Sequence, residues 1–162
     1  MSPARLDTRR PEESLRAIIA EQVATSPLNR LSRLDGGPIF DAPLVGVADG
    51  RDPLFEQYKT IIGNFHLTPH EVLERALRES PGAVHASLDY IRVIGWILPI
   101  AEATRASNRD QVDQPSIAWA HTRTFGEQFN DALRRHVVAL LREAGYLAVA
   151  PAVEPYFRTL NE

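Results

Sequence analysis

From Pro115 to Ala144 the apolar side chains fall on one stripe, and that stripe constrains the fold more than any other feature of the chain. Ile117, His121, Phe125, Phe129, Ala132, Val137, Leu140, Leu141 and Ala144 recur at or near helical spacing. Left unbroken, the helix would be roughly 45 Å long at about 1.5 Å per residue. A rod of that length needs other elements laid along it, so the rest of the chain must supply a core. Gly126 is the position where the rod would bend or divide, and Gly145 is a natural stop.

Upstream, Pro11 suits a first helical turn, and Glu12 and Glu13 complement its positive end. Leu15, Ile18, Ile19 and Val23 give that helix its apolar face, and Ser26-Pro27 ends it. Leu44-Val-Gly-Val-Ala48 reads as a short buried strand bounded by Pro43 and by Asp49-Gly50. Asp52-Pro53 opens a helix with Leu54, Tyr58, Ile61 and Ile62 on its buried face, and Gly63 stops it. Thr68-Pro-His-Glu71 opens another, with Thr68 as cap and Glu71 closing a capping box. That helix runs to Ser80-Pro81-Gly82. Tyr90 to Leu98 is β-branched and aromatic, the strongest strand candidate, and residues 102–114 read as a polar loop. Tyr146 to Pro151 is a third strand candidate, reached by a crossover through the long helix.

These elements make an α/β protein: a small mixed sheet with several flanking helices, one of them long and near the C-terminus. Three strands are few for this much helix. The sheet is therefore expected to be incomplete in this chain, or to gain weak strands near Gly82–Leu88. A helical segment over 1–37 and an α/β module over 38–162 are expected to pack as a single domain. Missing sheet exposes apolar surface and an unpaired edge, so a homo-oligomer is expected.

Composition narrows the function classes. The net charge is −3, and acidic residues are interspersed among the basic ones, so nucleic acid is not expected as the main partner. The longest apolar run, Val93 to Ala101, is too short and too Pro-interrupted to span a bilayer, and the N-terminus lacks the apolar core of a signal peptide. A cytoplasmic location without a membrane partner is the expectation. There is no cysteine, which removes disulfides, thiolate metal sites and thiol nucleophiles.

Few side chains mark a site. His66 and His70 are four apart, but Thr68-Pro69 starts a helix between them, so a shared metal is not implied and no metal site is assigned. A small histidine-metal hydrolase is accordingly the weakest functional reading. His121 and His136 lie about four turns apart on the long helix, too far to share a ligand. Asp49, Gly50 and Arg51 form the densest polar cluster directly after a strand, where α/β folds bind ligands. Trp119 lies one step off the apolar stripe and is the best aromatic for a pocket or interface wall. These four residues are the candidate cofactor-binding set, and catalytic residues remain unknown.

Several stretches, in order, carry a family likeness. They are Pro43-Leu-Val-Gly-Val-Ala48, Gly50-Arg-Asp-Pro-Leu-Phe-Glu-Gln-Tyr-Lys59 and Ile62-Gly-Asn-Phe-His-Leu-Thr-Pro69. Val93-Ile-Gly-Trp-Ile-Leu-Pro99, Pro115-Ser-Ile-Ala-Trp119, Phe129-Asn130 and Gly145-Tyr-Leu-Ala-Val-Ala-Pro151 extend it. Together they resemble the N-terminal region of epoxyqueuosine reductase-like iron–sulphur oxidoreductases over roughly residues 38–155. The resemblance implies a corrinoid-binding module that in the family is joined to a ferredoxin-like one and uses cobalamin fed by two iron–sulphur clusters. Such clusters are held by cysteine thiolates, so no iron–sulphur cluster belongs to this chain. The resemblance thus implies a front-end module, inactive alone, whose partner is a missing C-terminal ferredoxin-like module. The alternative is a stand-alone interaction or partner-subunit module with the same fold and no cofactor.

Overall fold

The structure is a computed structural model that describes residues 6–79 and 87–157. Helix α1 spans Pro11–Thr25, with proline in its first turn, and buries the four residues its periodicity singled out, Leu15, Ile18, Ile19 and Val23. Beyond it the buried Asn29 ties the chain down. Its Nδ2 donates to the Val23 carbonyl at 2.8 Å and to the Phe40 carbonyl at 3.0 Å, while its Oδ1 accepts the Phe40 N–H at 2.9 Å.

The chain then forms an antiparallel ribbon. Phe40 bridges Ile100, flanked by Asp41 N to Pro99 O and Ala101 N to Ile39 O, each 2.9 Å. Along the same run strands β1 (Leu44–Asp49) and β2 (Arg92–Ile97) pair as a two-stranded sheet. Helices α2 (Leu54–Ile61) and α3 (Pro69–Glu79) lie between the strands in sequence; α4 (Glu102–Arg109) and α5 (Ile117–Glu143) follow them. The α/β class, the small open sheet and the long late helix are as the sequence implies. Among the described residues no helix is long and apolar enough to cross a membrane.

The chain divides into two compact units, residues 1–45 with 96–134 and residues 46–95 with 135–162. In the first, Ile19, Ile39, Phe129 and Leu133 are fully buried. In the second, Ala76, Ile91, Val137, Val138, Leu140 and Ala148 form the core.

Five expectations need correction. No third strand forms over 146–150, and the crossover back to the sheet is not made. Gly145 turns the chain at φ +88°, and the Ala148 carbonyl is taken by Arg142 Nε at 3.0 Å rather than by a neighbouring strand. Residues 102–109 are a helix, not loop. α4 buries only Thr104, so hydrophobic period could not reveal it; it starts because Asp41 Oδ2 accepts the free Glu102 N–H at 3.0 Å. Gly126 does not divide α5, which runs as one helix through it from Ile117 to Glu143. α2 buries none of its residues: Ile61 is 70% exposed and Leu54 and Ile62 are exposed too, while Tyr58 on the same face is half-buried against His66. β1 is not buried on both sides either. Val45 and Val47 are half-buried and Leu44 is exposed, the alternation of a sheet covered on one face only. The candidate weak strands near residue 82, and His85, fall largely outside the described residues.

Candidate functional site

The loop after β1 has a definite structure. Asp49 Oδ1 accepts the Arg51 N–H at 3.0 Å, which closes a tight turn, and Asp49 Oδ2 pairs with Arg51 Nη2 at 3.2 Å. Arg92 Nη1 approaches the other carboxylate oxygen at 3.6 Å. The Arg51 side-chain bond first, then its backbone N–H, holds the Asp49 carboxyl below its ordinary pKa. The Arg51 guanidinium also lies 5.8 Å from the Tyr90 ring centroid. Gly50 is buried under this turn, its N–H bonded to the Ile91 carbonyl at 2.9 Å, and an added Cβ would come within 2.8 Å of Ile91 Cβ. The need for glycine there is packing. Asp49, Gly50 and Arg51 thus stand together with Arg92 and Tyr90 in the second unit. Trp119 belongs to the first unit, half-buried near the start of α5, where its N–H meets Ser116 Oγ at 3.2 Å.

The capping box at α3 forms as expected. Thr68 N donates to Glu71 Oε2 at 2.8 Å and Glu71 N to Thr68 Oγ1 at 3.3 Å. Lys59 also donates to Glu71, and this bond, followed by the Thr68 N–H, lowers the Glu71 pKa. His66 packs edge-on against Tyr58, while His70 lies 3.8 Å from Glu74. Among the described residues no three His, Cys, Asp or Glu side chains group closely enough to hold a metal ion.

A second candidate site lies within the first unit. A groove of about 480 Å³ opens between the ribbon and α5. Its apolar wall is Phe40, Trp96, Leu98 and Ile100; the last three alternate along one strand run and so share a face. The opposite wall is Thr122, Arg123, Gly126, Glu127 and Asn130, spaced to lie along one side of a helix. Gly126 shapes the groove, because a Cβ there would come within 2.7 Å of Phe40 Cζ. Phe40 in turn stacks obliquely on the buried Phe129, with ring centroids 5.9 Å apart.

Some polar groups of this groove are engaged, whereas the buried Thr122 hydroxyl has no hydrogen-bond partner among the described residues. Trp96 Nε1 donates to Asn130 Oδ1 at 3.0 Å. Glu127 pairs with Arg134, which also reaches Asp131 Oδ1 at 2.7 Å. The Arg134 bond lowers the Glu127 pKa, against the opposing effect of burial. Arg123, exposed at the rim, makes no ion pair or side-chain hydrogen bond with any described residue. Trp119, the tryptophan that the sequence offers for a pocket wall, does not line this groove; Trp96 does. The available signal was a glycine kept inside a long helix, where it costs about 1 kcal/mol relative to alanine.

No family model, curated protein or solved structure matches the chain.

Proposed function

We propose that this chain is the N-terminal module of an epoxyqueuosine reductase-like iron–sulphur oxidoreductase, acting in the cytoplasm and inactive by itself. The ordered series of stretches between Pro43 and Pro151 supports the family. The observation that carries the modular reading is apolar surface left uncovered on regular elements. Leu44 and Ile97, on the two strands, are 64% and 62% exposed, and Ile61, Ile62 and Phe65 are exposed at the end of α2 and just beyond. A two-stranded sheet is marginal without a covering layer, so these faces fit a module completed by further polypeptide. The cysteine thiolates for two clusters would come with that polypeptide. When the chain is alone, the same faces favour self-association.

A corrinoid presents a flat ring fringed with amides. Beside the loop after β1, the 80%-exposed Tyr90 ring just ahead of β2 and the Arg51 and Arg92 guanidiniums offer a flat face and donors of matching chemistry. The cofactor itself would supply the reductive chemistry, and these residues would only hold and orient it.

The test is an absorbance titration of the purified chain with hydroxocobalamin, with flavin mononucleotide as comparison. The expected result is a saturable spectral change with cobalamin and none with flavin, weakened by Arg51→Ala. Absence of a saturable change with cobalamin would overturn the cofactor assignment and leave an interaction module.

A further inference from the structure

We infer that the groove between the ribbon and α5 is a binding site for a small, flat aromatic carboxylate. This does not depend on the reductase reading. The shape comes first: about 480 Å³ falls within the range of small-molecule pockets, roughly 300–1,000 Å³. The apolar wall offers the Trp96 and Phe40 rings beside Leu98 and Ile100, surfaces against which a planar apolar body gains both burial and ring contact. The Trp96 indole is held in place, because its only N–H is committed to Asn130. Phe40 is held by Phe129 below it and by Gly126 beside it. The aromatic wall is therefore pre-organised.

Charge selects the rest of the ligand. The acidic group on the groove, Glu127, is bonded to Arg134, a guanidinium it shares with Asp131, and that bond lowers its pKa so that it stays ionised there. The Asn130 oxygen is already used, and its Nδ2 makes only long contacts of 3.4 Å to Glu127. What remains to serve a ligand is the Arg123 guanidinium at the rim, the Asn130 amide and the buried Thr122 hydroxyl, which has no hydrogen-bond partner among the described residues. A carboxylate at one edge of the flat body would meet Arg123. A cation would find Arg123 opposing it and Glu127 already taken.

The experiment uses the full chain with 2-naphthoate as probe and 2-naphthylmethylammonium as the charge control. The chain has two tryptophans, so Trp119→Phe leaves Trp96 as the sole indole reporter, and calorimetry on the unmodified chain gives the same constant independently. Saturable quenching of Trp96 by naphthoate is expected, with markedly weaker binding of the cation. Arg123→Ala should raise the dissociation constant roughly three- to fivefold, a modest factor because Arg123 is solvent-exposed and screened. Added salt should weaken naphthoate binding. Any one of three results overturns the assignment: no saturation with naphthoate, equal affinity for the two probes, or an unchanged constant in Arg123→Ala.

Discussion

Asn29 is the residue whose replacement tests the packing argument most directly. It lies 2% exposed between the end of α1 and the ribbon, and its side chain makes three hydrogen bonds, all to backbone groups of Val23 and Phe40. At about 1 kcal/mol net per bond, Asn29→Ala should cost roughly 3 kcal/mol, and somewhat more if no water reaches the two carbonyls and one N–H left behind. For a chain of this size that is a fall of roughly 6–12 °C in Tm. Asn29→Asp sharpens the test. It keeps the acceptor for Phe40 N–H but turns an oxygen toward two carbonyls, so at about pH 7 it should be worse than alanine. A carboxyl held there would have a folded-state pKa raised above its unfolded value of about 3.9. Its deficit relative to the unmodified protein should therefore be least below that value and grow as pH rises toward the folded pKa. The alanine deficit should stay flat with pH. Urea unfolding of the three proteins across this range gives the answer. An alanine cost under about 1 kcal/mol, or aspartate and alanine deficits that run parallel with pH, would refute the cross-link.

Three further outcomes are expected. Glu71→Gln should remove a contribution that, because the folded pKa is depressed, is fully present above about pH 4.3 and lost as pH falls through the folded value. The stability gap to the unmodified protein should thus close in acid, as read by urea unfolding at several pH values. Gly126→Ala should destabilise by about 1 kcal/mol instead of giving the usual helix-interior gain, since the clash with Phe40 outweighs propensity; a raised Tm would contradict this. By light scattering the chain alone should exceed its 18.1 kDa monomer mass, and Ile97→Lys should reduce the association; a monomeric unmodified chain would remove self-association from the proposed function.

The amino-acid sequence by itself determined what depends on near neighbours. The face of α1 follows from four apolar residues at helical spacing, and the capping box at Thr68 and Glu71 from a local pattern that satisfies free N–H groups. The stop at Gly145 follows from the one residue type at ease with positive φ. The tight turn of Asp49, Gly50 and Arg51 was legible in the same way, as a polar cluster directly after an apolar run. Tertiary structure alone decided the rest, since each case depends on a partner distant in the chain. The first turn of α4 is held by Asp41, which accepts the Glu102 N–H from sixty-one residues away. Gly126 sits inside α5 because Phe40 packs there, and Trp96 becomes a groove wall only when Asn130 fixes its indole. Tyr146 to Ala150 has strand-like residues, but a strand needs a neighbour to receive its hydrogen bonds, and Arg142 takes the Ala148 carbonyl instead. Residue spacing reports which face of an element is apolar; what covers that face is settled only where the chain returns to it.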